Sequence, residues 1–276
     1  MNPSLLDQLS RLTPIAEIPI TWDATGYTSE DFDAEARSET FEGWRGDLAD
    51  DEEAELIAHL LDIREGDTLL DVACGYGRHA APLARDHGAR VTGVDIAPGL
   101  IEQAKRIAAR EGLNIDYRVL HARDLDYSAA FDHALIGFNT LSVFSPDDAP
   151  RVLRGIHRAL RPDGKLFIDV DNKPFNCRYG TCYRNWHMQG QALVLQEVYF
   201  HHESSIEVNR DICLMENKPA VIEFLCFKRI YSVDEVSALL TDCGFAIEGV
   251  HGSWDLTELN DASPKIIVVA SKRATG

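Results

Sequence analysis

The sequence predicts an α/β protein with a seven-stranded, mostly parallel sheet, helices on both faces, an antiparallel β insert and an N-terminal helical cap. Short apolar strands alternate with helices from residue 68 to residue 170, and this alternation is typical of a parallel sheet. Residues 191–230 then alternate apolar and polar positions without a helix between them, which indicates antiparallel strands. We therefore expect four segments: a cap over 1–55, a core over 56–172, an insert over 173–227 and the rest of the core over 228–276.

The first part of the core opens with a helix over residues 49–63. Asp50 or Asp51 can cap this helix, and Gly66 ends it. The elements that follow are strands at 68–74, 90–96, 115–120, 133–139 and 165–170, with helices at 78–88, 99–113 and 148–160.

The insert and the end of the chain are bounded by turn and cap signals. Turns are expected at 203–205 and 216–219. Ser232 caps a final helix that Gly244 stops, and strands at 246–254 and 263–272 complete the core.

Composition narrows the range of functions. The chain has 276 residues, 45% of them hydrophobic, and a formal net charge of −18, which opposes the phosphate attraction that nucleic-acid binding needs. We expect no membrane insertion, because no apolar run approaches the roughly 20 residues of a membrane span. Six scattered cysteines without a CxxC pair and the lack of a signal peptide indicate a cytoplasmic protein. No metal site is predicted, since Cys177, Cys182 and His187 have no common zinc spacing.

The run LLDVACGYGRHA, residues 69–80, carries the clearest chemical signal. It reads as a strand end and a Gly-x-Gly turn that enters a helix, where an open α/β sheet leaves a ligand crevice. Alone, Gly75-x-Gly77 fits a nicotinamide dehydrogenase equally well. Asp71 inside the strand, and Asp95 at the end of the next strand, favour a different ribose-bearing cofactor.

The run from residue 69 to residue 105 resembles the class I S-adenosylmethionine-dependent methyltransferases, in particular a small-molecule group with DxACGxGRH loops. The similarity continues in HRALRPDGKLFIDV and IYSVDEVSALLTDCGF, and covers about residues 56–172 and 228–276. It implies a Rossmann-like core that binds S-adenosylmethionine, releases S-adenosylhomocysteine and is covered by the insert.

The resemblance assigns cofactor contacts to individual residues. The methionine end of the cofactor would lie among Asp71, Ala73, Gly75 and Gly77. Asp95 would bind the ribose, and Ile96 and Ala122 would contact the adenine. The family's usual Asp near the adenine amine is replaced here by His121. The complete set of expected cofactor-binding residues is Asp71, Ala73, Gly75, Gly77, Asp95, Ile96, Ala122, Arg123 and Phe138.

The acceptor side is less specified. Asn139 follows the fourth strand, where members of this family border the sulfonium and the substrate. A general base is needed only for a protonated nucleophile, and His187 in the insert is one candidate. Trp44 in the cap is a candidate wall of the substrate chamber.

These patterns predict a methyltransferase that acts on nitrogen, oxygen or carbon of a small metabolite or natural product. A protein or tRNA methyltransferase, a non-catalytic binding or regulatory protein with the same fold, and a nicotinamide-dependent dehydrogenase stay as alternatives. Neither the acceptor nor the oligomeric state can be predicted from these residues.

Overall fold

The computed structural model describes residues 3–22, 50–178, 180–189, 192–215 and 221–273. The predicted site residue Trp44 lies outside these ranges. The described residues form one sheet of seven strands and one of four. Among them, no helix is long and apolar enough to cross a membrane.

The larger sheet has the predicted mostly parallel architecture. Its strand order is β10-β11-β5-β4-β1-β2-β3, and only β11 runs antiparallel to its neighbours β5 and β10. The strands are β1 Thr68–Val72, β2 Arg90–Asp95, β3 Asp116–Val119, β4 Phe131–Ile136, β5 Leu160–Asp171, β10 Phe245–His251 and β11 Lys265–Lys272. The strand order reverses between the neighbouring strands β1 and β4. Open α/β sheets bind ligands in the crevice at such a reversal.

Helices cover both faces of this sheet, each by an apolar stripe. One face packs against α5 and α7, and the other against α2, α3 and α4. Ser232 caps α7 in a capping box with Glu235, as the sequence predicts. The α-helices are α1 Pro3–Ser10, α2 Asp50–Leu61, α3 Ala80–His87, α4 Pro98–Glu111, α5 Asp148–Ala159, α6 Lys173–Cys177 and α7 Val233–Asp242.

Strand β5 is longer than predicted. The sequence placed a helix stop at residues 161–164 and a strand at 165–170. In the structure β5 begins at Leu160, Asp163 has a φ of +61°, and the pairing with β4 skips from Leu160 to Lys165. The tetrapeptide is therefore an irregularity within the strand. The expected segment boundary between residues 55 and 56 likewise falls inside α2.

The insert forms a separate antiparallel sheet in the order β6-β7-β8-β9. Its strands are β6 Cys182–Gln189, β7 Ala192–His201, β8 Ile206–Met215 and β9 Val221–Arg229. The sequence did not predict β6. Residues 182–186 and 188 are exposed, so this edge strand lacks the apolar alternation that marks a half-buried strand.

The described N-terminal residues pack against the insert. Ile15 and Ile18 form a buried cluster with three residues of β8 and β9. Arg210 of β8 is also buried and donates a 2.6 Å hydrogen bond to the carbonyl of Thr13. Its guanidinium is paired with Glu197. This contact joins segments almost two hundred residues apart in sequence.

Candidate active site

The crevice opens at the loop that follows β1. Ala73, Gly75 and Gly77 have φ values of +58°, +56° and +84°, which glycine adopts without steric cost. A Cβ added at Gly77 would lie 2.2 Å from the hydroxyl of Tyr117, so that glycine is needed for packing. A Cβ at Gly75 would meet no atom within 4 Å. Gly75 therefore faces open space that a ligand can occupy.

Asp95, at the end of β2, both holds this loop and faces the crevice. Its Oδ2 accepts a 2.9 Å hydrogen bond from the Gly75 amide, and its Oδ1 accepts one of 2.9 Å from the Ala97 amide. Burial raises the pKa of Asp95, and these backbone donors partly offset the effect. Because each carboxylate oxygen has a second acceptor position, Asp95 can also bind two ligand hydroxyls.

Asp71 lies beneath the loop with an incomplete set of partners. Its side chain is buried, and its Oδ2 has no hydrogen-bond partner among the described residues. Burial raises the pKa of Asp71 to about 7, and Asp95 adds to the rise while His79 and Arg78 oppose it. Burying an ionised carboxylate without a full set of hydrogen-bond partners costs free energy, and a cationic ligand would stabilise its charge.

Arg78 and His79 tie the loop to α2. Glu53 of α2 is buried, with its Oε2 2.7 Å from Nε2 of His79 and 2.8 Å from Nη2 of Arg78. Asp50 accepts a 3.1 Å hydrogen bond from Nε of Arg78. The sequence did not single out Glu53 or His79, although His79 belongs to the loop motif.

A second loop, at the end of β4, meets this one. The ring of His79 lies over Gly137, where an added Cβ would be 3.1 Å from its Cε1. Phe138 and Asn139 follow with φ values of +58° and +57°. The guanidinium carbon of Arg78 is 4.8 Å from the centre of the Phe138 ring. Two consecutive left-handed residues outside glycine cost about 1–2 kcal/mol each and are typical of functional loops.

Asn139 is held by several internal hydrogen bonds. Its amide Nδ2 donates to Asp171 at 2.6 Å, while its Oδ1 accepts from Ser142 at 2.7 Å and from the Asp171 amide at 3.0 Å. Its backbone N–H donates to Asp169 at 3.1 Å. One Nδ2 hydrogen of Asn139 stays available for a hydrogen bond, and its contact with the methyl acceptor stays a prediction. The contacts in the structure show that Asn139 stabilises the strained loop.

Lys265 lies between the two carboxylates that hold Asn139. Its Nζ is 2.8 Å from Asp171 and 3.4 Å from Asp169. Burial works against the charge of Asp171, but Lys265 and Lys228 hold the pKa of that carboxyl below its usual range. Burial raises the pKa of Asp169, and Lys265 only partly opposes this rise.

The predicted adenine end follows β3. His121 begins the 3₁₀ turn Ala122–Asp124, and its Nδ1 accepts a 3.0 Å hydrogen bond from the Arg123 amide. Arg123 pairs with Asp148 at 3.2 Å. Burial, together with Arg123, lowers the pKa of His121. His121 therefore stabilises this turn. The side chain of Ile96, the residue that follows β2, is partly exposed.

His187 is not brought to Asn139. It belongs to β6, whereas the turn after Asn139 contacts β9, at the opposite edge of the insert sheet. No polar contact links His187 to the crevice residues in the part of the chain that the structure describes. A role for His187 as a base stays an untested prediction.

Comparison with known proteins agrees with this geometry. Residues 69–164 match a protein family described as "Methyltransferase domain". The matched segment contains the crevice loop, Asp95, the turn after β3 and the strained loop after β4.

Curated relatives match part of the chain. It is 33% identical over 139 residues to a 2-phytyl-1,4-naphtoquinone methyltransferase of Nostoc sp., and this match covers 49% of this chain and 59% of the relative. A ubiquinone biosynthesis O-methyltransferase of Methylocella silvestris is 39% identical over 109 residues, or 40% of this chain and 41% of the relative. The chain thus spans less than two thirds of the length of either relative.

The fold extends beyond the matched segment. The CcbJ methyltransferase of Streptomyces caelestis aligns with a TM-score of 0.74, covering 86% of this chain and 96% of that one at 21% identity. This similarity confirms the Rossmann-like fold with its added elements.

Proposed function

We propose that the protein is an S-adenosylmethionine-dependent methyltransferase that acts on a small molecule. The observation that carries the proposal is the methyltransferase domain match over residues 69–164, with an open crevice at its loop. The two curated relatives are named for methylation in quinone chemistry, and a phenolic or quinol acceptor is the first to test.

The crevice residues suit the proposed cofactor. The open backbone at Gly75 leaves room for the methionine end, and the unpartnered oxygen of Asp71 favours its ammonium group. Asp95 would accept both ribose hydroxyls, while Ile96 offers an apolar surface to the adenine. The backbone N–H of Ala122 would pair with the adenine ring, with Arg123 beside it.

The main contribution of the protein to methyl transfer would be to align the acceptor with the methyl group of the cofactor. Bound S-adenosylmethionine supplies an electrophilic methyl group on its sulfonium. Phe138 and Asn139 would set the position of the acceptor, because Arg78 lies against the Phe138 ring and Asp171 accepts a hydrogen bond from the Asn139 side chain. Fixed geometry of this kind is worth on the order of 7–11 kcal/mol.

Calorimetry with S-adenosylmethionine and the whole chain tests the proposal first. We expect saturable binding, and no heat at millimolar cofactor would contradict it. The second step incubates the protein and cofactor with quinols, phenols and primary amines and follows methylated products by mass spectrometry. Cofactor binding without transfer to any of them would favour the alternative of a binding protein.

A further inference from the structure

Asp169 is a second buried acid next to the crevice, and the cofactor assignments above do not use it. On the sheet, Asp71 is level with Leu135 of β4, and Leu135 with Phe167 of β5. Because alternate residues of a strand share a face, Asp169 lies on the same face as Asp71, two residues nearer the edge where the strands end.

The contacts of Asp169 place it beside the strained loop after β4. Its Oδ2 accepts from the Asn139 amide at 3.1 Å. Its Oδ1 is buried and has no hydrogen-bond partner among the described residues, and no part of the side chain reaches the surface. Asp71, by contrast, lies beneath the glycine loop. The two unpartnered carboxylate oxygens therefore belong to two different parts of the crevice.

The charges around Asp169 do not cancel. Lys265 is shared with Asp171, so two carboxylates face one ammonium group. Lys228 brings a second cation to Asp171, but its nearest ion-pair partner is Glu207, at 3.9 Å. When both carboxylates are ionised, they exceed the charge of Lys265 by one beside Asn139, where the low dielectric of the interior strengthens the effect.

We propose that Asp169 makes the site sensitive to the charge on the cofactor sulfur, so that it favours S-adenosylmethionine over S-adenosylhomocysteine. This inference rests on the proposed function. When the methyl group leaves, its bonding electron pair stays on the sulfur, which changes from a sulfonium cation to a neutral thioether. The ammonium and carboxylate groups are the same in both molecules, so the two differ only at the sulfur, by its positive charge and its methyl group. With Asp169 present, the product would thus be held less tightly than the methyl donor.

Calorimetric titration of the whole chain with three probes tests the proposal. S-adenosylmethionine carries the sulfonium, sinefungin carries an ammonium group at the same place, and S-adenosylhomocysteine carries no charge there. In Asp169→Asn we expect both cations to bind about tenfold more weakly, with nearly unchanged affinity for S-adenosylhomocysteine. The retained affinity for that probe also shows that the variant is folded.

Asp71→Asn is the matched control, because it also removes one buried carboxylate. We expect it to weaken all three probes alike, since each has the ammonium group assigned to Asp71. Equal losses for all probes in Asp169→Asn would overturn the inference and leave the proposed function intact. Failure of the wild-type protein to bind any probe would overturn both.

The wild-type protein gives a second test that needs no folded variant. Burial raises the pKa of Asp169 against the effect of Lys265, with Asp171, His79 and Glu53 as its other charged or titratable neighbours. The ratio of affinities for S-adenosylmethionine and S-adenosylhomocysteine should therefore rise as the pH increases through the raised pKa of Asp169. Titration of Asp71 acts on both ligands and cancels in the ratio. A ratio independent of pH would count against the charge-sensing role.

Discussion

Asp71 occupies a position where the proposed ligand binding and the stability of the fold oppose each other. Its pKa is about 7 in the folded chain against an ordinary value of 3.8, so the folded state holds the proton more tightly. The free energy of unfolding must then decrease as the pH rises between those two values, because ionised Asp71 is disfavoured in the fold. The whole of this decrease is present above pH ~7. We predict that Asp71→Asn stabilises the ligand-free protein, by more at about pH 8 than at about pH 5.

Thermal unfolding of wild type and variant at both pH values checks this prediction. Groups other than Asp71 titrate similarly in both proteins and cancel in the difference, although His79, Asp95 and Arg78 face the site. An equal difference in Tm at the two pH values would show that Asp71 is ionised in the fold without cost.

Asp95 holds the loop through its carboxylate, and in the proposed function the same carboxylate would bind the ribose. We predict that Asp95→Ala weakens S-adenosylmethionine binding by about 1–3 kcal/mol, because it leaves hydrogen-bonding groups of the loop and the ribose without partners. Calorimetry of the variant measures the loss. Asp116→Ala is a suitable control, since Asp116 is an exposed residue paired with Arg118. An unchanged affinity in Asp95→Ala would refute the ribose assignment.

At the scale of elements, the loops after β1 and β4 pack against each other through His79 and Gly137. A Cβ at Gly137 would be 3.1 Å from Cε1 and 3.3 Å from Nδ1 of His79, and overpacking of this kind costs about 1–3 kcal/mol. We predict that Gly137→Ala destabilises the wild type but costs less in a His79→Ala background. The expected coupling is at least about 0.5 kcal/mol.

Urea unfolding of the single and double variants measures this coupling. Gly249→Ala is the control, because a Cβ there would meet only Nε2 of His251, at 3.4 Å. Additive effects of Gly137→Ala and His79→Ala would mean that the loops do not depend on each other.

The elements themselves differ in how far the sequence predicts them. The core strands and α7 follow from local signals, such as apolar runs and the Ser232 cap, and these are visible in a short window. Strand β6 has no such signal, because it is exposed on both faces and held by pairing with β7. The irregular start of β5 depends likewise on its pairing with β4.

At the scale of the whole molecule, the candidate site divides in the same way. The proposed cofactor residues Asp71, Gly75 and Asp95 lie in one continuous motif and the strand that follows it, so the sequence predicts them as a group. The pairing of Glu53 with His79 spans 26 residues, and that of Asn139 with Asp171 spans 32. Only the fold brings such pairs together, which is why Asp169 and Glu53 could not be predicted.

The excess of acid also acts on the whole chain. A net charge of −18 destabilises the compact state through repulsion, and salt screens charges at the surface far more than buried ones. We predict that Glu258→Lys and Asp261→Lys, both at exposed positions, raise the Tm at low ionic strength and have almost no effect at high ionic strength. Thermal unfolding in dilute buffer, with and without added sodium chloride, provides the measurement.

Glu258→Gln and Asp261→Asn are the controls, because they change the charge half as much per site and should give smaller shifts in Tm. Because the core ion pairs around Lys265 are untouched, an equal gain at both salt concentrations would mean local contacts, and not the field of the whole protein, set the effect.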